Sequence, residues 1–89
     1  MSYQIDITKQ AQEDIEAHRK AGNKAILTKL NTLFEELTEH PFTGTGKPEA
    51  LKYSLTGLWS RRINQEHRLL YQVEGETIVI ILAAKGHYE

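Results

Sequence analysis

The hydrophobic positions of the chain change their period part-way along it. In the first half they recur at the spacing of helix turns, most clearly in the set Ile26, Leu30, Leu33, Phe34 and Leu37. This spacing puts the five side chains on one face and predicts an amphipathic helix, which Asn23 can cap and Pro41 must end. A helix with a weaker apolar face is predicted before it, from a Thr8 cap and Lys9 to a stop near Gly22.

Strand patterns flank the two helices. Tyr3, Ile5 and Ile7 alternate with polar residues and predict a short opening strand. Four further strand-like segments follow the helices, at residues 51–55, 58–63, 67–73 and 77–84. The last segment has apolar residues at both odd and even positions, which is typical of a central strand covered on both faces. Glu74-Gly75-Glu76 before it predicts a tight hairpin. The order predicts an α+β fold, with two helices packed on one face of a mainly antiparallel sheet.

Length and composition limit the classes of protein. Eighty-nine residues with 39% hydrophobic and 26% charged side chains suit one small globular domain, spanning residues 1–89. The sequence has no cysteine, so disulfides and thiolate metal sites are excluded. No apolar run approaches the roughly 20 residues that span a bilayer, so we expect a cytoplasmic protein without a membrane partner.

The charge is distributed unevenly, although the net charge is only -1. Residues 44–73 carry five Lys or Arg against two Glu, while the segments before and after them are each acidic by two charges. A polyanion would therefore be met by the middle third of the chain. The alternative is that five cations in this stretch are ordinary surface chemistry.

The glycine-rich segment Gly44-Thr45-Gly46-Lys47 does not fit a nucleotide-binding phosphate loop. Such a loop leads from a strand into a helix with Lys followed by Ser or Thr, whereas Lys47 follows a helix and precedes Pro48. The glycines more simply allow positive φ angles in a compact loop that leads to Glu49.

Three residues could together supply metal-free RNA cleavage. Glu49 is a candidate base for the 2′-hydroxyl, Arg68 has the planar donors that suit phosphate oxygens, and His87 titrates in the range of a useful acid. No His or carboxylate pair has metal-ligand spacing, so no cofactor is expected. Each residue also has an ordinary interpretation: Glu49 in a surface ion pair, Arg68 bound to a carbonyl or to Glu66, and His87 in a polar tail.

Neighbouring aromatic and basic residues are harder to assign. His67 and Arg68 are adjacent, so they point to opposite faces of a strand, and we favour Arg68 for the site. Trp59 is a core anchor or a base-stacking platform, and Tyr71 could extend either role. His18 and His40 lie in or beside helices and are expected to be structural.

In order along the chain, these residues resemble the Txe/YoeB family of toxins within the RelE/ParE superfamily. The shared pattern comprises Pro41-Phe42, Gly44, Gly46-Lys47-Pro48-Glu49, Leu51-Lys52, Leu55, Gly57, Trp59-Ser60-Arg61-Arg62-Ile63, Glu66-His67-Arg68-Leu69, Tyr71 and His87-Tyr88. It is dense over residues 41–71 and resumes at the C-terminus.

The resemblance implies a compact α+β domain of the microbial-ribonuclease type, often a homodimer, that cuts mRNA codons in the ribosomal A site. It implies that Glu49 is the general base, Arg68 stabilises the transition state and His87 is the general acid. The substrate-binding residues would be Lys52 and Arg62 at phosphate and Tyr88 at the scissile nucleotide, and we count Lys47 with them. The roles of Trp59 and Arg61 are left unassigned.

The resemblance also implies partners. These are the ribosome with its mRNA and a cognate antitoxin of the YefM/Axe type, whose C-terminal segment is disordered when free. Two other functions are weighed: a non-catalytic ParE-like inhibitor of a protein target, and an inactive relative that only binds RNA or antitoxin.

Overall fold

One mixed sheet and two helices make up the part of the chain that the structure describes. The structure is a computed structural model, and it describes residues 2–52 and 56–84. The elements are β1 (Gln4–Ile7), α1 (Lys9–Lys20), α2 (Lys24–Glu39), β2 (Glu49–Ala50), β3 (Leu58–Arg62), β4 (Arg68–Glu74) and β5 (Thr77–Leu82). The strands form a five-stranded sheet in the order β1-β5-β4-β3-β2. The predicted α+β class is confirmed.

The sheet is antiparallel except at one edge. β2, β3, β4 and β5 pair antiparallel in turn, whereas β1 pairs parallel with β5, from Gln4 opposite Thr77 to Ile7 opposite Ile80. The predicted hairpin is confirmed, because β4 and β5 are joined by Gly75 and Glu76 and Gly75 has a φ of 60°. The parallel pairing of the two ends of the fold is a long-range contact, which the sequence pattern did not specify.

Both helices are close to their predicted positions, and one cap differs. The Thr8 side chain caps α1 as expected, accepting a hydrogen bond from the Ala11 amide at 3.2 Å. Asn23 occupies the N-cap position of α2, as predicted, but its side chain makes no capping hydrogen bond. Its main-chain N–H instead donates to the carbonyl of His18 at 3.0 Å, so Asn23 serves the tight connection between the helices.

Two strand predictions need correction. The strand predicted at residues 51–55 is wrong where it can be tested, because β2 ends at Ala50 and residues 53–55 lie outside the described residues. β5 is an interior strand, as predicted, but Val79 and Ile81 on its second face are only half-buried. Within the described residues, helices cover only the other face.

The core lies between the helices and the first face of the sheet. α2 contributes the buried side chains of the predicted stripe, while Phe34 is only partly buried. The fully buried apolar residues include Leu33, Leu37, Leu69, Tyr71, Ile78 and Ile80. In residues 2–52 and 56–84, no helix has the length and apolarity that crossing a membrane requires.

The loop between α2 and β2 lies directly against β3. The Arg62 amide donates to the Gly46 carbonyl at 2.7 Å, and Gly46 has a φ of 87°. A Cβ atom at Gly46 would lie 2.8 Å from the Arg62 carbonyl oxygen, closer than side chains and backbone normally approach. Position 46 therefore requires glycine for both its conformation and its contact.

Gly46→Ala should destabilise the protein by about 3 kcal/mol, because a left-handed alanine is strained and its methyl group also displaces β3. Gly22→Ala is the matched control: Gly22 has a φ of 74°, but nothing lies within 4 Å of the place that an added methyl group would take. It should cost only about 1 kcal/mol. Urea unfolding of both variants measures the difference, and equal losses would contradict the close contact at Gly46.

Candidate functional site

A polar pocket of about 300 Å³ opens on the helix-free face, where β2, β3 and β4 lie side by side. Its lining residues are Lys47, Pro48, Glu49, Ser60, Arg62 and Arg68. The register explains this set, because Glu49 is opposite Ser60 and Arg62 is opposite Arg68. Four of the predicted site residues, Lys47, Glu49, Arg62 and Arg68, are thus brought together.

Among the described residues, the pocket combines one carboxylate with three cations. Glu49 is exposed, and among the described residues it makes no salt bridge within 4.0 Å. The ordinary interpretation of Glu49 as half of a surface ion pair is therefore not what the described part of the chain shows. An ionised Glu49 can accept a proton here, while the cations attract an anionic ligand.

Arg68 lines the pocket and has a side-chain donor that no described residue pairs with. Its Nη1 atom is buried and has no hydrogen-bond partner among the described residues. The interpretation in which Arg68 pairs with Glu66 is not observed there, since Glu66 lies 3.6 Å from His67 instead. An unpaired buried donor costs about 1–3 kcal/mol, which a ligand oxygen would recover.

His67 points away from this pocket, as expected because it is adjacent to Arg68 and neighbouring strand residues face opposite sides. Its ring packs edge-to-face on His18, with ring centroids 4.8 Å apart. His18 is buried in α1, and its Nε2 lies 2.9 Å from the Ala83 carbonyl oxygen. The expectation that His18 is structural is confirmed, and Arg68 is the member of the 67–68 pair that lines the pocket.

Trp59 and Tyr71 lie on the helix side of the sheet. Tyr71 is fully buried, so it cannot stack on a base. Trp59 is partly buried against the core, and its ring contacts Phe42 at a centroid distance of 4.9 Å. This packing fits the core-anchor interpretation of Trp59.

Three predicted site residues are not placed in the pocket. Lys52 is exposed and does not line it, so its contact with phosphate stays a prediction. His87 and Tyr88 lie outside the described residues. Among the residues that are described, no three His, Asp or Glu side chains come together as metal ligands would.

The residue that sequence reasoning missed is Arg61, which holds the loop carrying the site. Its side chain is fully buried and forms an ion pair with Glu36 of α2, at 3.0 Å. The same guanidinium donates to the carbonyls of Thr43 at 2.7 Å and Thr45 at 3.3 Å. The alternation of side chains along a strand could have predicted that Arg61 faces the helices. No sequence signal near Arg61 could have identified its partners, which are distant along the chain.

The other donors of Arg61 extend the same network. Nη2 also donates to the His40 carbonyl, and Nε donates to the Tyr71 hydroxyl at 3.3 Å. That hydroxyl donates in turn to the Pro41 carbonyl at 2.7 Å. Burial raises the pKa of Tyr71, while Arg61 opposes the rise, so the phenol stays protonated as this donation requires. Loop residues 40–45 therefore have one arrangement around the guanidinium.

Glu36 completes the network from the helix. Its carboxylate accepts hydrogen bonds from the Thr45 amide at 2.7 Å and the Thr45 hydroxyl at 2.6 Å. The hydroxyl hydrogen bond is the largest cause that lowers the pKa of Glu36; the Thr45 amide and Arg61 lower it further, while desolvation opposes them. The ionised form of Glu36 is thus the one that holds the loop.

Lys47 has an unusual backbone conformation. Its φ is 53°, and it is the only non-glycine residue with a positive φ in the described part of the chain. A left-handed conformation costs a residue with a Cβ about 1–2 kcal/mol. Strain of this kind is concentrated at functional sites, and Lys47 lines the pocket beside Glu49.

Comparison with known families and solved structures agrees with this fold. The family model described as YoeB-like toxin of bacterial type II toxin-antitoxin system matches residues 7–88. The chain belongs to this family. The family predicted from the motifs between residues 41 and 71 is therefore confirmed.

Individual YoeB relatives resemble the chain in sequence and in structure. It is 47% identical over 66 residues to Toxin YoeB of Escherichia coli strain K12, covering 74% of this chain and 77% of that protein. The YoeB dimer from Staphylococcus aureus superposes with a TM-score of 0.84 at 39% identity, covering 99% of this chain and 100% of that one. The YoeB-YefM complex from the same organism gives 0.83 at 40% identity, with the same coverage.

Glu36→Gln should make stability less dependent on pH. Because the folded-state pKa of Glu36 lies below its usual 4.5, ionised Glu36 stabilises the fold above about pH 4.5, and this contribution is lost as the pH falls through the folded value. The variant should be less stable by about 1 kcal/mol at pH 7, and the gap should close in acid. Urea unfolding from pH 7 to pH 3 measures it, with the neighbouring Glu35→Gln as control. A stability difference between the wild type and Glu36→Gln that stays constant with pH would contradict the conclusion that ionised Glu36 holds the loop.

Substitutions of Lys47 should separate strain from charge. Lys47→Gly should be more stable than Lys47→Ala by about 1 kcal/mol, since only glycine adopts a left-handed φ freely. Both remove the cation, so both should weaken binding of anions in the pocket equally. Chemical denaturation compares the stabilities, and an alanine variant at least as stable as the glycine variant would refute the strain at Lys47.

Proposed function

We propose that this YoeB-family toxin is a ribosome-dependent endoribonuclease, which cuts mRNA in A-site codons by metal-free attack of a 2′-hydroxyl and so inhibits translation. The observation that carries the proposal is the buried Nη1 of Arg68, which has no partner among the described residues and lies in a cationic pocket that also contains Glu49. A phosphate oxygen would satisfy this donor, and its neighbour Glu49 would be near the sugar attached to that phosphate.

In the proposed reaction, Glu49 removes the proton of the 2′-hydroxyl. The 2′-oxygen then forms a bond to phosphorus while the bond from phosphorus to the 5′-oxygen breaks. His87 donates a proton to the departing 5′-oxygen, which leaves a 2′,3′-cyclic phosphate and a 5′-hydroxyl. The nucleophile belongs to the substrate, so the protein contributes proton transfer, orientation and electrostatic stabilisation.

Stabilisation of the transition state is assigned to the cations of the pocket. Arg68 donates to the phosphorus oxygens, where negative charge develops, and Lys47 and Arg62 surround it. These groups lie on strands and on a loop held by Arg61, so they need little reorganisation during the reaction. Lys52 and Tyr88 are proposed to help hold the RNA on either side of the cut.

The position of Ala84 supports His87 as the acid. The Arg68 amide lies 3.4 Å from the Ala84 carbonyl oxygen, so the described chain ends beside the strand that carries Arg68. His87 follows three residues later, and three residues of extended chain reach at most about 11 Å. A role at the pocket is therefore within the reach of the chain.

The proposed partners follow from the relatives. YoeB of Staphylococcus aureus occurs in a complex with YefM and as a dimer. We propose that this chain likewise binds a YefM-like antitoxin and forms a homodimer, and that it acts in the cytoplasm, where ribosomes and mRNA are found. A partner that covers apolar surface would also stabilise so small a domain.

The test is primer extension on a reporter mRNA incubated with the purified protein, with and without translating ribosomes. The wild-type protein should cut within A-site codons only when ribosomes are present. Glu49→Gln should slow cutting by about 100-fold or more, because the amide cannot accept the proton. Arg68→Ala should slow it by about 100- to 1,000-fold through loss of transition-state stabilisation.

Two substitutions outside the pocket serve as controls. Glu74→Gln in the β4–β5 hairpin and Arg19→Ala on α1 change the same charges at exposed positions. Both should cut at the wild-type rate. Wild-type cutting by a folded Glu49→Gln protein would refute the proposed base. Folded wild-type protein that makes no cuts would favour an inactive relative, or a ParE-like inhibitor if DNA damage appears instead.

A further inference from the structure

A second pocket adjoins the first, on the other side of Lys47 and Arg62. It also has a volume of about 300 Å³, and these two residues line both pockets. Lys29 of α2 and the β3–β4 turn residues Asn64 and Gln65 complete its polar lining. The two cavities therefore form one continuous surface, with Lys47 and Arg62 at the boundary between them.

The charged side chains that line this second pocket are all positive in the described part of the chain. They are Lys29, Lys47 and Arg62, and no described carboxylate lines the pocket. None of the three cations makes a salt bridge with a described residue. The pocket thus has the electrostatics of a phosphate site but lacks a carboxylate that could act as a base, so it suits binding rather than cleavage.

The turn residues add hydrogen-bonding groups of a different kind. The Asn64 Oδ1 accepts from the amides of Glu66 at 2.8 Å and His67 at 2.7 Å, which fixes the turn. The side chain of Gln65, one position later, is exposed and makes no hydrogen bond with a described residue. Its amide offers both donors and an acceptor, which is what recognition of a base edge requires.

We propose that this second pocket binds the nucleotide next to the one that is cut: Lys29 contacts its phosphate and Gln65 reads its base. The inference rests on the proposed nuclease function and deepens it, since it assigns a specificity site outside the reacting groups. Single-stranded RNA presents one phosphate per nucleotide, and a strand bound at Arg68 that continues past Lys47 and Arg62 enters the second pocket, which these two residues also line. The second pocket is the cationic surface that the structure provides there.

The experiment uses ribosomes programmed with mRNAs that differ only in the bases flanking the cut. Single-turnover cutting is measured against toxin concentration for the wild type, Lys29→Ala and Gln65→Ala. Lys29→Ala should raise the half-saturating concentration about tenfold and leave the plateau rate unchanged, because Lys29 touches no reacting atom. Gln65→Ala should reduce the preference among bases at one flanking position by about fivefold.

The preference among flanking bases distinguishes an mRNA-binding site in the second pocket from a contact between this pocket and ribosomal RNA. Losing a contact with the ribosome would weaken cutting of every mRNA alike, whereas losing a base contact changes the ratio between mRNAs. Lys24→Ala is the control for Lys29, because Lys24 is exposed on the same helix and does not line the pocket. Its half-saturating concentration should match that of the wild type.

The experiment distinguishes a second pocket that binds no nucleotide from a protein that is not a nuclease. If the wild type cuts and both variants keep its half-saturating concentration and base preference, the second pocket is not a nucleotide site. If the wild type makes no cuts, the nuclease proposal fails. Binding of a 2′-O-methyl RNA tetranucleotide then tests the second pocket independently of cleavage. Weaker binding by Lys29→Ala, with a salt dependence reduced by about 0.7 in the logarithmic slope, would then support it. Binding equal to the wild type, or no binding by either protein, would overturn it.

Discussion

The buried guanidinium of Arg61 is the interaction on which the candidate site depends. A buried charge is stable only when it is paired and its hydrogen bonds are satisfied. For Arg61 the partners are the Glu36 carboxylate, the Tyr71 hydroxyl and three carbonyls of the loop that follows α2. The helix, the loop and the sheet are thereby fixed to one another. Because this loop continues directly into Lys47 and Glu49, the arrangement of the pocket follows from a charge that never contacts it.

The two faces of the sheet divide structure from chemistry. Arg61 and Arg62 are neighbours of the same residue type, yet strand alternation gives them opposite environments. Arg61 is fully buried on the helix side, whereas Arg62 is exposed and lines both pockets. The same alternation directs His67 to His18 and Arg68 to the pocket. A one-residue slip of register would exchange these roles, so packing of the core also determines which cations are available for a ligand.

Two local features that reduce stability lie at the pocket, and a third lies on the other face of the sheet, where the buried Nδ1 of His67 has no partner among the described residues. Lys47 holds a left-handed conformation, and Arg68 keeps a buried donor without a partner among the described residues. Elsewhere, buried polar groups such as His18, Ser60 and Arg61 pack within the fold, and Arg61 has a full set of partners. A polyanionic substrate, such as the RNA of the proposed cleavage, would relieve the electrostatic part of this cost.

The sequence by itself determined the features that depend on near neighbours. Helical periodicity specified the buried face of α2, Gly75 specified the hairpin, and the motifs between residues 41 and 71 specified the family and four residues of the pocket. Only the tertiary structure decided the parallel pairing of β1 with β5, the early end of β2, and the partners of Arg61. The physical reason is range. Periodicity and turn chemistry act within a few residues, whereas strand register and buried polar partners are decided by which distant segments meet.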